Sequence, residues 1–420
     1  LIMAQRHKIG SVDNLLPQNR KILTKYSGYP IPSWEKPSKE LLKSTSADEL
    51  RSRTTFSDIL ELRLREELGD VEFGKLYPNR WLRPEIGEGN GGYVKDERSL
   101  YINHLRAFEW SVNKYCSEVG LPRIIFEDWT SEPEELPSFE FTDKLIPSRA
   151  VERILKAAGM QQTIKCGGSC ATCTRTAPGK DGAACCSMEH FIEVDESAGS
   201  ATFSSAPVVN SHRITFECSA LCACDVKKCK NRLIKNGRRV VMCVFRTPSK
   251  GWTLRTAEPL TRGQYITEYT GKVTENVAGG PGESNYRFDM LYSYMKKRGE
   301  LAMPFTIDAL VKGNESRFIA HGCEPNVEVE ARVVDPYGVY YNRYAFIARR
   351  SITVGEELTF DYFPDKGSGD MSIRTMFPYC VCLSPRCRFT MAKMAQHPMV
   401  EEEEQVEYDD ANENEPPVID

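Results

Sequence analysis

The sequence predicts an α+β protein, with a helical N-terminal region, two cysteine-rich modules and a β-rich body of short sheets. Three observations predict it. The 420 residues include 15 cysteines, of which nine lie between Cys166 and Cys229 and three between Cys380 and Cys387. Before residue 140 apolar residues recur at helical spacing, whereas after Arg239 they gather in short β-branched and aromatic runs. At 40% hydrophobic and 27% charged residues the balance is that of an ordinary globular protein.

Taken in order, residues 1–95 form an N-terminal region in which Phe56–Leu68 is a candidate helix stopped at Gly69. Residues 26–37 faintly resemble the core of a chromodomain, although a turn with chance aromatics explains them as well. Tyr101, Leu105, Phe108, Val112, Tyr115 and Val119 make one apolar stripe of a long helix, with Gly120 placed as its terminating glycine and Pro122 preventing continuation. Strands are expected at Val240–Phe245, Tyr265–Tyr269, Val327–Val334 and Tyr344–Ala348. The final segment, 401–420, holds ten acidic and no basic residues and reads as a disordered tail. Without it, 55 basic stand against 49 acidic residues, so the body is mildly basic, too weakly to argue for nucleic-acid binding. No run approaches the roughly 18 apolar residues of a membrane span. No apolar signal segment is visible in Leu1–Gly10.

That setting favours metal ligation over disulfides for the clustered cysteines. Nine thiols, Cys166, Cys170, Cys173, Cys185, Cys186, Cys218, Cys222, Cys224 and Cys229, suit either three zinc ions sharing bridging thiolates or two four-cysteine sites and a spare thiol. Spacing alone does not choose between these. Cys380, Cys382 and Cys387 need a fourth ligand. Cys243 sits in an apolar strand and Cys323 in a polar segment, so Cys323 is the better candidate.

Six segments then resemble one family, in its order. Cys218–Arg232 resembles the second half of a pre-SET module. Lys250-Gly251-Trp252, Glu268-Tyr269-Thr270-Gly271, Arg317–Asn326 and Gly355–Tyr362 resemble four successive motifs of the SET domain, and Cys380, Cys382 and Cys387 resemble a post-SET module. The chain is thus similar to SET-domain histone lysine methyltransferases of the suppressor-of-variegation class, acting on histone H3 lysine 9. The resemblance implies a leading helix and associated segment over 96–150, pre-SET 151–236, SET 237–363, post-SET 376–391 and a tail over 392–420. It also implies a knot-like C-terminal crossing, three zincs on the nine cysteines, and one on Cys323 with the post-SET trio.

Its implied chemistry is methyl transfer from S-adenosyl-L-methionine to a lysine amine. By motif position Tyr362 is the catalytic tyrosine, Tyr286 and Tyr269 line the lysine channel, and Phe360 sets the product at di- or trimethyl-lysine. Lys250, Gly251, Trp252, Tyr286, Ala320 and His321 are the implied cofactor contacts. Ala320 stands where the family usually has Asn, which removes a side-chain hydrogen bond. The resemblance further implies the histone H3 N-terminal tail as substrate, chromatin-associated partners, no membrane, and location in the nucleus on chromatin. The Thr306–Ala309 segment resembles the region flanking the bound peptide. Two rival readings are an inactive SET domain that scaffolds chromatin proteins and a methyltransferase for another lysine.

Overall fold

The computed structural model describes residues 47–79, 97–130, 139–157, 191–195, 200–204, 214–218, 232–275, 286–290, 305–334, 341–364 and 380–390. The chromodomain-like segment, the acidic tail and the cysteines Cys166, Cys170, Cys173, Cys185, Cys186, Cys222, Cys224 and Cys229 lie outside the described residues.

Helix α1, Ala47–Leu68, ends where the sequence predicts and begins nine residues earlier than the apolar pattern indicated. Phe56, Leu60 and Leu64, four residues apart on one face, are buried. With Phe73 of α2 (Asp70–Leu76) and Tyr77 they pack on Ile125, Trp129, Cys243 and Phe245. Burying each such side chain stabilises by about 1.5–3 kcal/mol.

Helix α3, Glu97–Val119, carries the expected stripe. Tyr101, Leu105, Phe108 and Val112 are buried, but Val119 is exposed and Cys116 takes its place on the core face. The stripe drifts at its end because 3.6 residues per turn do not match a strict alternation of three and four. Gly120 has φ 74°, the left-handed conformation that glycine adopts without steric cost. The Gly120 amide donates to Ser117 O and the Leu121 amide to Cys116 O, which closes the helix with a Schellman motif.

The region before residue 140 is not all helix. Strand β1, Ile124–Glu127, runs parallel to β7, Met242–Thr247, which pairs antiparallel with β8, Gly251–Thr256. Its four-residue apolar run is too short to carry a period of its own. Strand β7 starts at Met242 rather than Val240, because the Val241 amide donates to the Glu258 carboxylate instead of a ladder partner.

Short strands β2 (Glu140–Phe141) and β3 (Ile146–Pro147) lead into α4, Arg149–Ala157. They join a sheet ordered β11-β12-β10-β3, with β2 on β12. In it β10 is Gly271–Glu275, β11 Arg287–Asp289 and β12 Phe305–Gly313. Strands β4 (Phe191–Asp195) and β5 (Ser200–Ser204) pair as a hairpin. A further sheet orders β6-β14-β15-β9, from Ile214–Phe216, Val327–Val333, Asn342–Ala348 and Tyr265–Glu268. Between these sheets lie a short helix α5 (Leu233–Asn236), a 3-10 turn at Glu315–Phe318, and a two-stranded parallel pair, β13 (Ala320–His321) with β16 (Thr359–Phe360). The expected strands at 265–269 and 327–334 are each one residue shorter, and that at 344–348 starts two residues earlier. No helix among the described residues is long and apolar enough to cross a membrane.

At Gly271 the β10–β12 register shifts, and an added Cβ would sit 2.5 Å from the Asp308 carbonyl oxygen. Gly271→Ala is expected to destabilise the fold by about 1–3 kcal/mol, read as a lowered denaturant midpoint.

Candidate active site and cysteine quartet

The site is assembled where two segments far apart in sequence meet. Ala320 and His321 pair with Thr359 and Phe360, and the Gly322 amide donates to Phe360 O at 3.0 Å. Buried Asn326 fastens the second segment to the first. Its Oδ1 accepts from the Thr359 amide at 2.9 Å, and its Nδ2 donates to Glu357 O at 2.8 Å and to Glu356 Oε1 at 3.0 Å.

The chain then turns so that the Tyr362 amide donates to His321 Nδ1 at 3.2 Å. An imidazole nitrogen that accepts must be unprotonated, which fixes the tautomer. Burial pushes the His321 pKa down to about 4 against the pull of Asp361, so the ring is neutral at pH 7. The Tyr362 hydroxyl donates to Ile319 O at 2.7 Å. Burial, with Tyr286 and Glu357 adding to it, holds that phenol well above its ordinary pKa, so it too stays neutral.

Around Phe360 the wall is aromatic. Its ring lies 4.6 Å from Tyr362, 5.1 Å from Phe346 and 6.2 Å from Phe288, and Phe288 lies 5.2 Å from Tyr269 and 4.4 Å from Tyr344. The Tyr269 hydroxyl donates to Tyr286 O at 2.7 Å, which ties the turn after β9 to the residue before β11. Above the Tyr286 ring, at 4.0 Å, sits the guanidinium of buried Arg317, which also covers Phe139 at 4.3 Å. Such a cation–π stack holds the ring's orientation. Thus Tyr269, Tyr286, Ala320, His321, Phe360 and Tyr362, predicted from separate motifs, converge. Phe288, Tyr344 and Phe346 were not among the predicted residues. The signal that could have found them is the two-residue spacing of Tyr286 and Phe288 and of Tyr344 and Phe346, which puts each pair on one face of a strand.

Lys250, Gly251 and Trp252 open β8 on the other side of the Glu357 segment. Lys250 Nζ lies 2.8 and 3.0 Å from the two Glu357 oxygens, and Arg255 lies 4.0 Å from the same carboxylate. Gly251 has φ 73°, and a Cβ there would meet nothing within 4 Å, so its backbone is open to close approach. Trp252 is half-buried against the core.

Three residues after Ala320, Cys323 joins Cys380, Cys382 and Cys387. The four sulfurs lie within 4.8 Å of one another, and Cys323 and Cys387 are 3.8 Å apart. A tetrahedral zinc with Zn–S bonds of about 2.3 Å sets sulfurs about 3.8 Å apart, so the donor set fits that ion. The Arg388 amide points at Cys323 Sγ and the Cys382 amide at Cys380 Sγ, each at 3.3 Å. Arg388 also pairs with Asp361 at 2.5 Å and donates to Phe363 O at 3.0 Å, which ties the quartet to the Tyr362 segment. Of the nine earlier cysteines Cys218 is described, and it is buried. Cys116 and Cys243, the latter expected in an apolar strand, are both buried.

The comparisons with known proteins agree with this geometry. Residues 251–363 match the family model of the SET domain, and this part of the chain is a SET domain. The chain is 36% identical over 185 residues to the histone-lysine N-methyltransferase EHMT1 of Homo sapiens, covering 44% of this chain and 13% of that one. It is 36% identical over 168 residues to SUV39H2 of Xenopus tropicalis, covering 38% and 39%. It is 30% identical over 293 residues to the H3 lysine-9 specific SUVH1 of Nicotiana tabacum, covering 65% and 38%. Residues 251–363 thus match a SET domain, and the chain, similar in part to these histone-lysine N-methyltransferases, spans between 13 and 39% of their length.

Asn326→Ala orphans the Thr359 amide and the Glu357 carbonyl together. The expected loss is about 1–3 kcal/mol for each group left buried and unpaired, seen as a lower denaturant midpoint at unchanged slope.

Proposed function

We propose that the chain is an S-adenosyl-L-methionine-dependent protein-lysine methyltransferase that acts on the histone H3 N-terminal tail at lysine 9. The product is di- or trimethyl-lysine, and the role is heterochromatin formation and gene silencing in the nucleus, with chromatin-associated partners. The observation that carries this reading is the convergence of Tyr362, Phe360, Tyr269 and Tyr286 on one aromatic wall within a SET domain. S-adenosyl-L-methionine supplies an electrophilic methyl group on a sulfonium. Lys250, Gly251, Trp252, Tyr286, Ala320 and His321 are the residues that would hold it. The open backbone at Gly251 and the half-buried Trp252 face suit such a ligand.

What the chain's own residues must do is present a neutral amine. A free lysine has pKa about 10.4, so near pH 7 only about one in 10³ molecules is neutral. An aromatic, desolvated wall disfavours the ammonium form and holds the amine in line. Tyr362 works here as a neutral phenol. Its O–H donates a hydrogen bond to Ile319 O, which leaves the hydroxyl oxygen as an acceptor for the polarised groups at the reacting centre. Phe360 in place of a tyrosine leaves the room that further methyl groups need.

The domain limits follow the family's order: a leading segment at 96–150, pre-SET 151–236, SET 237–363 with a knot-like crossing, post-SET 376–391, and tail 392–420. Cys323, Cys380, Cys382 and Cys387 take one zinc, a reading supported by the spacing of their sulfurs. Cys166, Cys170, Cys173, Cys185, Cys186, Cys218, Cys222, Cys224 and Cys229 take three more.

Mass spectrometry of histone H3 tail peptides after incubation with S-adenosyl-L-methionine tests activity, site and methyl number together. Methylation at lysine 9 is expected, falling at least 10²-fold in Tyr362→Phe, on the scale of other lost transition-state contacts. Binding of the methyl donor with no turnover would favour the scaffold reading that Ala320 raises. Phe360→Tyr is expected to shift product toward monomethyl-lysine, and an unchanged distribution would reject the role given to this position. Metal analysis is expected to find about four zincs per chain, and about one fewer in Cys387→Ser. A count near two would overturn the cluster.

A further inference from the structure

The turn that carries Glu356 and Glu357 is gripped from outside the SET domain. Helix α1 lies against it. Arg63 Nε donates to Val354 O at 3.1 Å, and Arg63 Nη2 donates to Thr353 Oγ1. The backbone of Gly355 comes so close to α1 that a Cβ there would stand 3.5 Å from Arg63 Cδ and Leu60 Cδ1. The helix is also fixed at its other end. Arg53 lies 2.6 Å from Glu109 on α3 and 2.5 Å from Glu127 on β1. Burial raises the cost of that cluster, yet Arg53 and Arg106 hold the Glu109 carboxyl below its ordinary range. Helix α1 is therefore seated by charge and by apolar packing, and cannot slide along the turn without giving up both.

The next residues of the same turn point inward. Glu356 accepts from Asn326 and Glu357 pairs with Lys250, while Gly355 O accepts from Arg255 at 2.8 Å. One five-residue turn thus touches an N-terminal helix on its outer side and two of the SET motifs on its inner side.

We infer that Arg63 is a positioning residue for the methyl-donor site, acting through the 353–357 turn on the Lys250–Glu357 pair. The inference rests on the methyltransferase reading above and goes beyond it, because α1 lies outside the matched SET domain, residues 251–363. The tightness of S-adenosyl-L-methionine binding then depends on whether α1 is seated. The N-terminal region becomes an element through which the site can be tuned.

Calorimetric titration of the full chain with S-adenosyl-L-methionine tests this, together with KM and kcat on an H3 tail peptide. Arg63→Ala is expected to raise the Kd and KM for the methyl donor about three- to tenfold, the effect of one lost hydrogen-bonded contact, while the peptide KM stays unchanged. Arg63→Lys keeps a donor for Val354 O and should recover part of the loss. Glu66→Ala, on the exposed side of the same helix, is expected to match the unaltered chain. A lowered melting temperature with unchanged Kd in the folded protein would mean that Arg63 is structural only, and would overturn the inference. An equal rise in both KM values would do the same. If the unaltered chain does not bind S-adenosyl-L-methionine, the methyltransferase reading itself falls. If it binds and Arg63→Ala binds equally, only this inference falls.

Discussion

Asn326 is the residue on which the site depends. A side chain with one acceptor and two donors is placed between two chain segments and satisfies groups on both. Its three hydrogen bonds reinforce the pairing of Thr359 and Phe360 with Ala320 and His321, because a two-residue parallel pair is too short to be stable by itself. The consequences propagate. The pairing sets where Tyr362 falls, His321 accepts its amide, and the hydroxyl reaches Ile319 O. A single buried amide thus converts motifs far apart in sequence into one wall.

The charges of this protein sit around that wall rather than in it. Glu357 with Lys250, Arg388 with Asp361, and Arg317 over Tyr286 ring the aromatic cluster. Within it lie phenyl rings and neutral hydroxyls. An interior of that kind strengthens any dipole aimed at a reacting centre and penalises an unpaired cation. The neutral state of Tyr362 and His321 follows from their burial. A buried wall and uncharged lining groups are one design feature, not two.

Much of this could be read from the chain. The convergence of Tyr362, His321 and Ala320 follows from motif order, and the fourth member of the cysteine quartet follows from the contrast between an apolar setting at Cys243 and a polar one at Cys323. The Schellman end of α3 is written in Gly120. Pairing between distant segments is not written in this way. Strand β1 is not among the strands expected from sequence because its partner β7 lies far downstream, and four residues show no period. The grip of α1 on the 353–355 turn depends on a side chain meeting backbone carbonyls, which no pattern of apolar residues encodes. Phe288 is not singled out by the sequence, since its place beside Tyr269 exists only once β11 and β12 have paired.

The cysteine quartet also has a consequence in polymer terms. A zinc held by it would join Cys323 to a trio that begins 57 positions later at Cys380, and so close a loop of the chain. The entropy lost on closure grows with the logarithm of loop length, on the order of 3–4 kcal/mol for a span of this size, and doubling the span adds only about 0.6 kcal/mol. With zinc bound, the four sulfurs would set the position of residues 380–390 almost independently of how much chain lies between. Length in the intervening stretch would then be a nearly neutral variable, whereas loss of the metal would open the loop.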